Sequence, residues 1–114
     1  MITIYHNPRC SKSRETLKLL NENGIEPTIV LYLDTPPDPK TLKSLLKKLN
    51  MKAHELIRKN EADYKSLGLN SDSISEDALI EAMSAHPKLI ERPIVIHGKK
   101  AAIGRPPETV LDIL

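Results

Sequence analysis

An α/β fold with a central mixed four-stranded sheet and flanking helices follows from three features of this 114-residue chain. An apolar strand pattern runs into a helix and then a second strand. A long stretch of helical periodicity comes next, and two strand-like segments around a tight turn lie near the end.

Residues 2–5 alternate and stop at His6-Asn7-Pro8, where Pro8 fixes one φ angle. From Ser11 the pattern is helical through Thr16, Leu17 and Leu20, and Asn23-Gly24 supplies a left-handed stop. Residues 28–33 (Thr-Ile-Val-Leu-Tyr-Leu) form a nearly continuous apolar run, which predicts a strand covered on both faces. Strand, helix and strand together make a parallel β-α-β unit with a right-handed crossover. After the stiff Asp34-Thr35-Pro36-Pro37 connection, Asp38 reads as an N-cap with Pro39 at the first helical position. Leu42, Leu45, Leu46 and Leu49 then mark one helical face.

Short helices are expected at about 53–58, at 61–67 (Asn60 cap, Gly68 stop) and at 75–85, where Leu79, Ile80 and Met83 line the buried side. These form a helical insert over about residues 38–86. Arg92-Pro93-Ile94-Val95-Ile96, a turn at His97-Gly98-Lys99 and Lys100-Ala101-Ala102-Ile103 read as a β-hairpin. Gly104-Arg105-Pro106-Pro107 opens a final helix through Val110 and Leu111. The length fits one domain over residues 1–114.

Composition narrows the function. There is no Trp or Phe and only three Tyr, so the aromatic platforms that stack single-stranded nucleic acid are missing. A net charge of +2 does not by itself imply nucleic-acid binding and suits a small anionic substrate. No apolar run reaches the ~18 residues of a membrane span. The single cysteine permits no internal disulfide, and the opening residues lack the regions of a signal peptide, so a reduced, cytoplasmic protein is expected.

That cysteine, Cys10, falls between the first strand and the first helix, in Tyr5-His6-Asn7-Pro8-Arg9-Cys10-Ser11-Lys12-Ser13-Arg14. A free thiol has a pKa near ~8.5 and its thiolate is the nucleophile. The positive end of the helix, its free N–H groups and the nearby Arg9, Lys12, Arg14 and His6 are all capable of lowering that pKa. A phosphatase would need an Arg six residues after the cysteine, where this chain has Thr16. A dithiol oxidoreductase would need Cys-x-x-Cys, and Ser13 holds the second position. Cys10 can therefore form a mixed disulfide but cannot resolve it, and reducing thiols must come from outside.

The order of motifs resembles the glutaredoxin-coupled arsenate reductase family. They are Tyr5-His6-Asn7-Pro8-Arg9-Cys10-x-x-Ser13-Arg14, Tyr32-Leu33-x-Thr35-Pro36, Leu56-Ile57-Arg58-Lys59-Asn60, Leu89-Ile90-x-Arg92-Pro93-Ile94-Val95 and Gly104-Arg105-Pro106. The resemblance implies a thioredoxin-like fold with a helical insert. It also implies that Cys10 attacks arsenate, that glutathione attacks the resulting adduct, and that glutaredoxin completes reduction to arsenite. Arg58, Arg92 and Arg105 match the arginines that hold the oxyanion, His6 and Ser13 match positions close to the cysteine, and Pro93 matches a cis-proline beside it. Glutathione is then a co-substrate, and no bound cofactor is expected. His54, His86 and His97 lack metal-ligand spacing, so no metal is assigned. Two other readings share the fold: a glutathione-dependent thiol reductase with another substrate, and a regulator similar to the Spx proteins that bind RNA polymerase. The latter usually carry Cys-x-x-Cys, absent here.

Overall fold

The computed structural model describes all 114 residues, in two compact units: Met1–Thr35 with Arg92–Leu114, and Pro36–Glu91. The first unit contains β1 (Ile2–Tyr5), α1 (Ser11–Glu22), β2 (Thr28–Val30), β3 (Ile94–His97), β4 (Lys100–Ile103) and a closing 3-10 helix (Pro107–Ile113). Its sheet has the order β2-β1-β3-β4, with β1 parallel to β2 and antiparallel to β3, and β3 antiparallel to β4. This is the mixed, thioredoxin-like sheet expected from the β-α-β unit and the hairpin.

Register explains the core. Ile4 lies opposite Val95, and Val95 opposite Ala102, so all three side chains share one face. Leu20 of α1 and Val110 of the 3-10 helix close over that row, and all five are buried. Full burial of each larger aliphatic contributes about 1.5–3 kcal/mol relative to exposure. Helix α1 ends where the sequence predicts. Gly24 adopts φ +75°, its N–H donates to the Asn21 carbonyl at 3.0 Å, and the Ile25 N–H donates to the Leu20 carbonyl at 3.0 Å. This paired closure brings Ile25 back onto the Leu20 cluster.

Three sequence expectations change. The second strand stops at Val30 instead of Leu33 and is an edge strand with Thr28 and Ile29 exposed, not a strand covered on both faces. The chain turns at Leu31, whose carbonyl accepts the N–H groups of Asp34 (2.9 Å) and Thr35 (3.0 Å). An apolar run reports hydrophobicity but not sheet position, and this run was split between an edge and a turn. The final helix forms with 3-10 geometry, after cis Arg105-Pro106, and His97 Nδ1 meets the Ile113 carbonyl at 2.6 Å near its end. The expected Arg92-Pro93 cis bond is also present.

The second unit is helical: α2 (Pro39–Leu49), α3 (Ala53–Leu56), α4 (Ala62–Ser66), α5 (Glu76–Ala85) and a 3-10 turn at Pro87–Leu89. Asp38 caps α2 as expected, its carboxylate accepting the Thr41 N–H at 2.7 Å, and α2 packs on α5, with Leu42 and Leu45 of the one and Leu79 and Met83 of the other buried. Helix α4 is the third correction. Lys59 and Asn60 form a turn that leaves Glu61 extended (φ −72°, ψ 141°), so Glu61 takes the cap position instead of Asn60.

Gly104 is required by packing. A Cβ there would collide with Thr16 Oγ1 and stand 2.8 Å from Pro93 Cγ, while its N–H donates to the Pro93 carbonyl at 2.9 Å. Gly104 thus lets α1, the Pro93 segment and the Arg105 segment meet. Gly104→Ala should lower unfolding free energy by about 1–3 kcal/mol, measured as a fall in urea midpoint at unchanged slope.

Candidate active site

Cys10 occupies the N-cap position of α1, in extended geometry (φ −94°, ψ 123°), and is 8% exposed. Its placement starts with the preceding loop. The Cys10 N–H donates to the Asn7 carbonyl at 3.0 Å, the Arg9 N–H donates to Asn7 Oδ1 at 3.0 Å, and the Cys10 carbonyl accepts the first intrahelical bond from Arg14 N–H at 3.0 Å. Asn7 therefore folds the loop so that the cysteine begins the helix. The sulfur makes no regular capping hydrogen bond, yet the backbone N–H groups of Ser13 and Lys12 face it closely enough to stabilise negative charge.

Two distant arginines reach the sulfur. Arg92 hydrogen-bonds it through its guanidinium, and Arg105 donates from Nη2 at 3.6 Å. Arg105 is braced at the same time, its Nε donating to the Arg92 carbonyl at 2.7 Å. Burial alone would push the thiol pKa up; the Ser13 N–H, the Arg92 guanidinium and the Lys12 N–H outweigh it and hold the pKa below its ordinary value. Burial likewise works against the Arg92 charge, but the nearby Cys10 sulfur outweighs it and raises its pKa on balance.

The cations nearest in sequence are directed elsewhere. Arg14 donates from Nη1 to the Pro8 carbonyl at 2.9 Å, and Lys12 pairs with Glu15 at 3.6 Å. His6 and Ser13 bond one another: His6 Nδ1 lies 2.6 Å from Ser13 Oγ, which also accepts the Asn7 N–H at 3.0 Å. Burial, followed by the charge of Arg14, lowers the His6 pKa, so the ring is neutral near pH 7 and contributes no cation to the thiolate. The buried Ser13 proton needs an acceptor, and Nδ1 of the neutral ring supplies it. The pair braces the loop beneath the first turn of α1.

Pro93 is buried next to Arg92 and accepts the Gly104 N–H, which sets Arg105 on the following residue. Arg58 belongs to the helical unit. Its backbone N–H donates to the Leu89 carbonyl at 2.7 Å beside the Ile57–Ile90 bridge, and its guanidinium lies near Glu61 (3.8 Å) and Glu91 (3.7 Å). The structure holds no cluster of three or more His, Cys, Asp or Glu side chains arranged for a metal, and no helix long and apolar enough to cross a membrane. Sequence reasoning missed the contributions of Asn7, Thr16, Tyr32 and Gly104. Asn7, Tyr32 and Gly104 fall inside recognised motifs, but only packing reveals what they do.

A depressed thiol pKa links activity to stability. Between the native pKa and the ordinary value near ~8.5, the native state binds fewer protons than the unfolded chain, so stability rises with pH across that window. The stability advantage of the wild type over Cys10→Ser should therefore grow as pH rises to about 8.5 and then level off. Urea unfolding of both proteins in reducing buffer measures it, and a pH-independent difference would contradict a native thiolate.

Known proteins resemble this chain in both sequence and fold. A family model described as the ArsC family matches residues 5–113. The arsenate reductase of Haemophilus influenzae is 53% identical over 114 residues, covering 99% of this chain and 98% of that protein. The uncharacterized protein YfgD of Escherichia coli is 62% identical over 114 residues, with 99% and 96% covered. The solved arsenate reductase from Vibrio cholerae superimposes with a TM-score of 0.97 at 51% identity, covering 99% of this chain and 97% of its own. With the family model spanning residues 5–113 and relatives more than half identical over nearly the whole chain, the chain belongs to the ArsC family.

Proposed function

We propose that the protein is an arsenate reductase in which Cys10 is the nucleophile and glutathione and glutaredoxin supply the electrons. The observation that carries the reading is the convergence of two guanidinium groups on one cysteine sulfur at a helix N-terminus. An anion attacking an anion meets repulsion, and fixed cations at the point of attack reduce it. Guanidinium offers paired N–H groups that match a tetrahedral oxyanion, which an ammonium does not reproduce.

In the proposed cycle the Cys10 thiolate attacks arsenic(V). A sulfur–arsenic bond forms and one arsenate oxygen leaves as water after protonation. Glutathione then bonds arsenic through sulfur and displaces a second oxygen as water. A glutaredoxin thiolate takes the glutathione sulfur, and the electron pair of the broken sulfur–arsenic bond passes to arsenic, giving arsenic(III) and a mixed disulfide. Water cleaves the Cys10–arsenic bond and releases arsenite. The chain supplies one thiol and no resolving cysteine, so an external two-thiol sequence matches its inventory. Arg58 enters as the third oxyanion arginine on the strength of the Leu56-Ile57-Arg58-Lys59-Asn60 motif. Arginines gathered at the sulfur favour an enzyme over an RNA-polymerase-binding regulator.

The reading is tested by arsenite production from arsenate with glutathione and glutaredoxin. Cys10→Ser should abolish turnover. Arg92→Ala and Arg105→Ala should each lower kcat/KM by about 10²-fold or more, and Arg58→Ala should act mainly on arsenate use. Normal turnover by Cys10→Ser would end the proposal.

A further inference from the structure

Strands β1 and β2 run parallel, and the His6 N–H still joins them by donating to the Val30 carbonyl at 2.9 Å. Beyond that bond the two chains part. Residues 6–9 lead to Cys10, whereas Leu31 begins the turn closed by the Asp34 and Thr35 N–H groups. A cavity of about 340 Å³ opens between them, walled by residues 6–9 on one side and by Leu31, Leu33 and Asp34 on the other. Open α/β sheets bind their ligands in the crevice outside the carboxyl ends of the strands, and about 300 Å³ suffices for a small molecule. Both walls are fixed. Tyr32 is fully buried and stacks on Tyr5 of β1, with centroids 6.4 Å apart and planes 20° from parallel, which anchors the turn. Asn7 accepts the N–H groups of Arg9 and Cys10, which shapes the opposite wall. The lining selects a ligand. Arg9 and Asp34 are exposed, of opposite charge and engaged in no ion pair, and Pro8, Leu31 and Leu33 add apolar surface. Arsenate carries only negative charge and would be repelled by Asp34, so this is not a second oxyanion site.

We propose that this cavity binds a small zwitterionic peptide thiol of the glutathione type: Asp34 takes the ammonium, Arg9 a carboxylate, and Pro8, Leu31 and Leu33 the methylenes between. Glutathione carries one ammonium and two carboxylates near neutral pH, with its thiol on the central residue. Three extended residues span about 10 Å and neighbouring Cα atoms lie about 3.8 Å apart, so a tripeptide held at Arg9 is long enough to carry that thiol to Cys10. The sheet order gives each reactant its own side. Cys10 follows β1, the cavity lies toward β2, and Arg92 and Arg105 come from the ends of β3 and β4 across the sheet. The arginines are thereby left to the oxyanion while the attacking thiol arrives from the β2 side. The turn that ends β2 early supplies the second wall of the site. The part played in arsenate reduction rests on the function proposed above; the binding of the peptide does not.

Glutathione disulfide tests the site through Cys10 itself. The Cys10 thiolate attacks one sulfur, the sulfur–sulfur bond breaks, and a Cys10–glutathione mixed disulfide and one glutathione thiolate result. Hydroxyethyl disulfide undergoes the same exchange without charged groups, so the ratio of the two rates reads recognition and cancels changes in the thiolate. Asp34→Asn and Arg9→Gln should each lower this ratio about threefold or more at low salt. The sign for Asp34→Asn is diagnostic. Glutathione disulfide is anionic, so general electrostatics predicts a faster reaction when a carboxylate is lost, and a fall reports a held ammonium. A ratio that is unchanged or raised in either variant overturns the proposal. The wild type alone supplies a second test, titration of reduced protein with the unreactive S-methylglutathione. The backbone amide NMR signals of Arg9, Leu33 and Asp34 should shift saturably. Absence of saturation by about 10 mM, or saturable shifts confined to other residues, overturns the proposal even if a variant fails to fold. Neither measurement contains arsenate, so a peptide site found by them stands even if arsenate proves not to be reduced.

Discussion

A thiolate shielded from water is unfavourable unless positive charge and donor groups are already waiting for it, and that requirement organises the sheet-containing unit. The first turn of α1 contributes N–H groups, the segment before β3 contributes Arg92, and the segment after β4 contributes Arg105. These three stretches are far apart in sequence. Only a sheet that places β1 beside β3 and β3 beside β4 brings their ends together. The core row of Ile4, Val95 and Ala102 therefore does two jobs: it stabilises the unit, and it fixes the register on which the electrostatics of the sulfur depend.

Close backbone approach is the second ingredient. Fully buried Thr16 on α1, Pro93 and Gly104 meet where even one methyl group would not fit. The Gly104 N–H bond to Pro93 then places Arg105 directly after this contact. Loop geometry before Cys10 is set in a comparable way, by Asn7 and the Ser13–His6 pair. The nucleophile is held by small polar residues and tight turns instead of by large side chains, as suits a protein with so few aromatics.

Much of this was legible in the sequence because its signals were local. The lone Cys10 after a strand and before a helix, the Asn23-Gly24 stop, the Asp38-Pro39 start and the hairpin around Gly98 are punctuation read from neighbouring residues. The arginines were legible only through motifs, since nothing in the surroundings of Arg92 or Arg105 says that each will touch a residue more than eighty positions away. The nearest cations misled for the converse reason: Lys12 and Arg14 are close to Cys10 in sequence yet bond Glu15 and Pro8. The run at 28–33 misled because hydrophobicity does not distinguish a central strand from an edge strand followed by a buried turn.

The brace between the two arginines has an implication for how the site tolerates change. Arg105 is anchored to the carbonyl of residue 92 and not to its side chain. Every amino acid presents that carbonyl, so the aim of one cation is written into the main chain and insulated from replacement of the other. The two charges are thus mechanically joined but chemically independent, and the side chain at 92 is free to diverge for a different anion while its neighbour keeps its bearing on the sulfur.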